Sequence, residues 1–210
     1  ASVNEIAPFD PEILLAAELG AKLTLLDDTL LLNLAGYAYD YQDKQETVQI
    51  VDSSGTFLNI MANAGRVSIY GAEAEVRWRA TSSFEVNASV GWSQSEVKEW
   101  DLETSSDTNA LGNVLPNSPE LTANAGAHYD FSLPGGGVIR ASVDTTYASS
   151  QYFTIFNEPY TKADARWISD ASVQWRAPDG RLAVSLWTRN LSDEIYRTFG
   201  VPLVGIGWST

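Results

Sequence analysis

Residues 121–131 run Leu-Thr-Ala-Asn-Ala-Gly-Ala-His-Tyr-Asp-Phe. Successive side chains of an extended chain point to opposite faces. Leu121, Ala123, Ala125, Ala127, Tyr129 and Phe131 therefore share one face, and Thr122, Asn124, Gly126, His128 and Asp130 the other. The same division recurs outward. Phe84, Val86, Ala88, Val90 and Trp92 oppose Glu85, Asn87, Ser89 and Gly91, while Tyr70, Ala72, Ala74, Val76 and Trp78 oppose Gly71, Glu73, Glu75, Arg77 and Arg79. Ile139, Ala141, Val143, Thr145 and Tyr147 oppose Arg140, Ser142, Asp144 and Thr146. Charge keeps to one face throughout, and helical periodicity is scarce. The pattern predicts eight strands, over 13–26, 29–48, 60–80, 84–98, 119–132, 138–153, 161–177 and 181–190.

The connections alternate in length. Asp27-Asp28, Thr81-Ser82-Ser83, Pro134-Gly135-Gly136-Gly137 and Pro178-Asp179-Gly180 read as tight turns, with longer loops near 49–59, 99–118 and 154–160 between them. Short turns at one end and long loops at the other is the asymmetry of outer-membrane barrels. Tyr70/Trp78, Phe84/Trp92 and Trp167/Trp175 are same-face aromatic pairs. Their spacing along a tilted strand spans about 20 Å of the membrane normal, close to the apolar band between two aromatic girdles. A soluble β-sandwich that binds carbohydrate would share the alternation, but the alanines between the aromatics would fill its core poorly. Alanine facing lipid has no void to fill. The expectation is an all-β, antiparallel, up-and-down transmembrane β-barrel wall.

Composition narrows the function. Thirteen Lys+Arg against 27 Asp+Glu, a formal net charge of −14, excludes a phosphate-backbone binder, so no nucleic-acid partner is expected. The 44% hydrophobic and 11% aromatic content of the 210 residues argues against disorder. With no cysteine there are no disulfides, thiolate metal sites or cysteine nucleophile. No stretch approaches the ~18 apolar residues of a spanning helix, so a membrane role must use strands.

Thr188-Arg189-Asn190-Leu191-Ser192-Asp193-Glu194-Ile195-Tyr196 resembles the Asn-Leu-(Ser/Thr)-Asp-x-x-Tyr signature of TonB-dependent outer-membrane receptors, which follows their penultimate strand. Pro11-Glu12 with Glu18-Leu19-Gly20-Ala21-Lys22 is similar to that family's Pro-Glu…Glu-x-G-x-K strand. Asn33 to Gln45 is similar to its Asn-x-Ala-x-Phe-Tyr-x-Asp-Tyr-x-Asp-x-Gln strand. Asn63-Ala64-Gly65 through Ile69-Tyr70-Gly71-Ala72-Glu73-Ala74-Glu75 resembles its Asn-Ala…G-x-E-x-E element, and Leu115-Pro116-Asn117-Ser118-Pro119-Glu120 its Pro-x-x-Pro strand start. The resemblance implies that residues 1–210 are the C-terminal β-barrel segment of such a receptor, about eight strands of a larger barrel of about 22. It also implies the outer membrane of a Gram-negative bacterium and contact with lipid and lipopolysaccharide. A plug domain, absent from these residues, would engage the TonB complex. The substrate that the resemblance implies is bulky: a siderophore, another metal chelate or an oligosaccharide. A stand-alone eight-stranded outer-membrane barrel of structural role is the alternative.

The residues offer no catalytic constellation. Glu73 and Glu75 stand side by side on one strand face, where a two-carboxylate mechanism needs groups flanking a bond, so they read with Arg77 and Arg79 as a charge ladder. His128, the only histidine, reads as a solvated residue of the polar face. The acidic stretch 96–107 lacks EF-hand spacing and its glycine, and reads as a surface loop. Gly135-Gly136-Gly137 opens no helix and is a turn rather than a phosphate cradle. No enzyme, cofactor or metal site is expected. Exposed aromatics and amides at 147–160 have the chemistry to stack on and hydrogen-bond a sugar or siderophore. With Trp100 from the acidic loop, Tyr152, Phe153, Phe156, Asn157 and Tyr160 are the candidate substrate contacts.

Overall fold

The computed structural model describes residues 9–51, 57–102 and 109–200. In chain order the strands are β1 (Ile13–Leu25), β2 (Leu30–Gln42), β3 (Gln45–Val51), β4 (Phe57–Asn63), β5 (Gly65–Arg79), β6 (Phe84–Trp100), β7 (Leu121–Ser132), β8 (Val138–Ala148), β9 (Gln151–Tyr152), β10 (Lys162–Ala163), β11 (Arg166–Arg176) and β12 (Ala183–Thr188). Eight of them form one antiparallel sheet in the order β1-β2-β5-β6-β7-β8-β11-β12, and β3–β4 and β9–β10 form two small separate ones. The long strands pair only with their neighbours in sequence order, without crossovers, and among the described residues β1 and β12 are the edge strands. All the described long strands lie in this one sheet, so a two-sheet sandwich is not formed.

The turn residues do what their chemistry allows. Leu26, Asp27 and Asp28 all take positive φ, and Thr29 Oγ1 donates to the Leu26 carbonyl at 2.7 Å. Thr81 Oγ1 accepts the amides of Ser83 and Phe84 at 3.2 and 3.0 Å. Gly135, Gly136 and Gly180 supply the left-handed residues of the other two turns. All four lie at one end of the sheet, and the longer connections lie at the other.

Five expected boundaries are corrected, one of them the strand expected over 60–80, which divides at Ala64 into β4 and β5. The alternation of 29–48 continues past the end of a strand: β2 stops at Gln42 because Asp43 takes φ 52°. Lys44 and Gly65 then exchange into a new pairing, with Lys44 N donating to the Gly65 carbonyl at 3.0 Å and Ala64 N to the Lys44 carbonyl at 2.6 Å. Most of the expected loop 49–59 is instead the β3–β4 hairpin, whose tip at 52–56 lies outside the described residues. The strands expected over 138–153 and 161–177 lose their loop-side ends to the β9–β10 pair.

The register sets apolar side chains beside one another across strands. Tyr70 and Trp92 meet edge to face with centroids 5.5 Å apart, and Tyr147 and Trp167 lie 5.5 Å apart, near the loop end. Phe84, Tyr129 and Phe131 cluster near the turn end at 6.2 and 4.5 Å. Trp78 pairs across from Val86, and Trp175 from Ile139. The expected aromatic pairs thus build two rows with small residues between: Ala88 sits opposite both Val76 and Ala125. This face is exposed in the isolated sheet, Trp167 at 52% and Leu19 at 82%. The other face is laced by polar contacts. Arg140 grips Asp130 with two bonds of 2.7 Å, Arg77 donates to Glu85 at 2.8 Å, and Asn33 to Glu75 at 3.0 Å.

Replacing Ala88 or Ala125 by Arg puts a charge midway between the aromatic rows. This is expected to cost about 2–4 kcal/mol on refolding into bilayers, whereas Asn124→Arg on the opposite face costs much less. A denaturant titration giving equal penalties on both faces would refute this assignment of the lipid side.

Candidate functional site

The only cluster of buried apolar side chains among the described residues lies on the polar face at its loop end. It contains Val67, Val97, Ala110 and Ile155, with Tyr41, Ile69, Trp100, Leu115 and Phe156 against it. One irregularity builds it. The β5–β6 register pairs Val67 with Val97 but Arg66 with Glu99, leaving Lys98 as an extra residue, a β-bulge. Strict alternation would place Trp100 on the same face as Trp92. The bulge shifts the phase by one, so Trp100 pairs with Gly65 and turns onto the polar face, edge to face with Phe156 at 5.6 Å. Gly65 permits this: its φ is +128°, and a Cβ there would run into the Glu99 carbonyl and the Trp100 amide. The Trp100 indole nitrogen is buried without a hydrogen-bond partner among the described residues.

Beyond Trp92, β6 has no β7 partner, and the loop before β7 takes that place. Val97 N donates to the Asn113 carbonyl at 2.9 Å, Gly112 N to the Val97 carbonyl at 2.8 Å, and Leu115 N to Ser95 Oγ at 2.9 Å. The loop after β8 locks onto this one through Asn157. Its Oδ1 accepts Val114 N at 2.9 Å, and its Nδ2 donates to the carbonyls of Val114 and Thr154 at 3.0 and 3.1 Å. Asn113 Nδ2 returns a bond to the Ile155 carbonyl at 3.0 Å. The two loops form one shelf lying on the polar face.

The six candidate residues are distributed over this shelf. Trp100 and Phe156 are half-buried and in contact. Asn157, at φ 52°, has its amide engaged by backbone as described. Tyr152 sits in β9, with Lys162 Nζ 5.8 Å from its ring centre, and Phe153 packs against Gly200. Tyr160 is 39% exposed in a one-turn 3-10 helix (Pro159–Thr161). Burial, then the charge of Glu158, pushes its phenol pKa up, and its carbonyl accepts Arg197 Nη1 at 3.2 Å. Residues 103–107 of the acidic loop lie outside the described residues, and 96–100 belong to β6. Among the described residues no group of three His, Cys, Asp or Glu side chains could hold a metal ion. Of the Glu73–Arg79 ladder, Arg77 and Arg79 both turn to Glu85 and Glu75 to Asn33, and Glu73 has no ion pair among the described residues.

Sequence reading missed the bulge, the Asn157 lock, and a second aromatic group on the same face, Tyr37 stacked on Tyr39 at 5.0 Å. The available signal was the odd-numbered run Tyr37, Tyr39, Tyr41 opposite Ala38 and Asp40.

One sheet with an apolar face edged by two aromatic rows, a polar opposite face, and tight turns at one end with folded loops at the other is the wall of a transmembrane β-barrel. The chain belongs to the TonB-dependent receptor-like β-barrel family, whose model matches residues 1–191. It is 24% identical over 204 residues to the pesticin receptor of Yersinia pestis, covering 92% of this chain and 26% of that protein. Its fold matches the ferric yersiniabactin uptake receptor of Yersinia pestis with a TM-score of 0.77 at 22% identity, over 95% of this chain and 28% of that one. A siderophore receptor of Acinetobacter baumannii matches with a TM-score of 0.72 at 23% identity, over 90% of this chain and 25% of that one. The chain thus spans about a quarter of the length of these relatives, which are transport receptors rather than enzymes. Family members are outer-membrane β-barrel proteins of Gram-negative bacteria.

Asn157→Ala removes the lock and places an alanine in a left-handed conformation. It is expected to destabilise the shelf by about 2–3 kcal/mol, while Asn157→Gly relieves the backbone share only. Faster amide exchange at Gly112 and Val114 in both variants, with the alanine variant the faster, is the expected result. Unchanged exchange would show that the two loops are held independently.

Proposed function

We propose that this chain is part of the barrel wall of an outer-membrane receptor of a Gram-negative bacterium. The receptor binds a bulky nutrient outside the cell and imports it with TonB-supplied energy. The observation that carries this reading is the shelf: two loops from the long-loop end turned onto the polar face and fixed by Asn157, with aromatic groups at their rim. A wall that only sealed the membrane would have no use for it. Tyr152, Phe153 and Tyr160 contact the nutrient, Trp100 and Phe156 back them, and Asn157 holds the loop that carries them. The apolar face meets lipid and the inner edge of lipopolysaccharide, and a plug domain inside the barrel engages the TonB complex. The nutrient is a siderophore, another metal chelate or an oligosaccharide; the similarity to receptors for ferric yersiniabactin and for a siderophore favours the chelates.

In this orientation a cysteine at Leu111, exposed on the shelf side, should react with an impermeant maleimide on intact cells, and one at Ser82 should not. Cells expressing the parent receptor should take up radiolabelled ferric chelate only when TonB is present. Tyr160→Ala should raise the half-saturating concentration about tenfold, the loss of roughly 1.4 kcal/mol. Uptake independent of TonB, or labelling at Ser82 rather than Leu111, would overturn the reading.

A further inference from the structure

The segment that follows β12 lies against the loop that carries Phe153 and Tyr160, two of the side chains that contact the nutrient under the import reading. Its start is anchored to the sheet. Asn190 N donates to Asp170 Oδ1 and Leu191 N to the Ser169 carbonyl, both at 2.8 Å, so β11 still holds the chain past the end of β12. The Asn190 amide then closes a turn on Glu194: its Nδ2 donates to the Glu194 carbonyl at 3.0 Å, and its Oδ1 accepts Glu194 N at 2.9 Å. Two residues on, the Tyr196 ring lies under the guanidinium of Arg166 from β11, 5.3 Å from its centre.

From this base the segment reaches the loop at two points. Gly200 is buried against Phe153, where a Cβ would come within 3.0 Å of the ring. Arg197 Nη1 donates to the carbonyls of Tyr160 and Lys162 at 3.2 and 3.4 Å, bridging to residues 37 and 35 positions back along the chain. Those carbonyls flank Thr161, which is 1% exposed and accepts Phe153 N on its own carbonyl at 3.0 Å. Tyr160 therefore stands on one helical turn that Thr161 fixes to the loop and Arg197 fixes to the wall. A single 3-10 turn has too few backbone bonds to keep its shape alone. A charged donor shared by two of its carbonyls is the stronger kind of tie, and it orients the Tyr160 ring without itself having to touch a ligand.

We infer that Arg197 is a positioning residue for nutrient recognition: it fixes the helical turn beneath Tyr160 and sets affinity through that ring rather than by a contact of its own. This deepens the import reading and rests on it for the role of Tyr160, but the positioning itself is tested without a ligand. A ring-fluorinated tyrosine replaces Tyr160 in the full-length receptor in detergent, and fluorine NMR reads its environment. The wild type is expected to give one narrow line. Arg197→Met, which keeps an unbranched side chain and loses its donors, should broaden or split that line, and Arg197→Lys, which keeps a charged donor, should restore it. Arg189→Met, in the same segment but with its guanidinium over Trp187 at 5.2 Å, should leave it unchanged. An unchanged line in Arg197→Met, or equal broadening in Arg189→Met, overturns the inference. The second arm measures binding of radiolabelled ferric yersiniabactin to cells held on ice. Arg197→Met should raise the half-saturating concentration about threefold at unchanged capacity, and should add nothing in a Tyr160→Ala background. Effects that multiply in the double variant would show Arg197 acting independently of Tyr160, and overturn the inference. Absence of binding by the wild type would count against the ligand favoured by the import reading, and the fluorine spectra alone would then decide the role of Arg197.

Discussion

Peptide groups facing lipid find no water, so each strand must satisfy its N–H and C=O groups on its neighbours, at a cost of several kcal/mol for each group that fails. In this sheet that ladder does more than satisfy the backbone. Because no second sheet of the described residues packs against it, register assigns a side chain to one environment or the other along the long strands. A slip of one residue in β7 would put Asn124 and Asp130 where Ala125 and Phe131 stand. The clean separation of charge from aromatic rows therefore rests on hydrogen-bond register rather than on core packing.

The one phase shift in the long ladder, at Lys98, takes on its meaning from this. In a packed core a bulge redirects a side chain slightly; here it transfers Trp100 from the lipid side to the shelf. Gly65 on the partner strand is where the backbone conformation allows it, and the small apolar cluster of Val67, Val97, Ala110 and Ile155 forms around the result. The shelf is thus rooted in the sheet as well as tied across by Asn157.

Most of the long strands and both faces were legible in the sequence, because alternation is a direct print of the pleat and charge stayed on one side. The tight turns were legible through Asp, Gly and Pro. Four features were not. The end of β2 was masked because alternation runs straight on into β3, and only the left-handed Asp43 separates them. The bulge was invisible because an inserted residue changes phase without changing composition. Asn157 read as an exposed amide able to grip a ligand, but it bonds both backbone groups of Val114, 43 residues away, which no local pattern records. The Tyr37–Tyr39 stack was likewise hidden, since its geometry depends on the bare backbone at Gly71, across the strand pair.

Strand order that follows chain order without a crossover has an evolutionary corollary. Each hairpin contributes two strands and returns the chain to the same end and the same facing. Duplication or loss of a hairpin therefore leaves the orientation of every remaining residue intact, in contrast to a crossover fold, where removing a pair would strand its connections. A wall assembled in this way can be widened or narrowed in steps of two strands while its turns, its girdles and its inward loops are inherited unchanged.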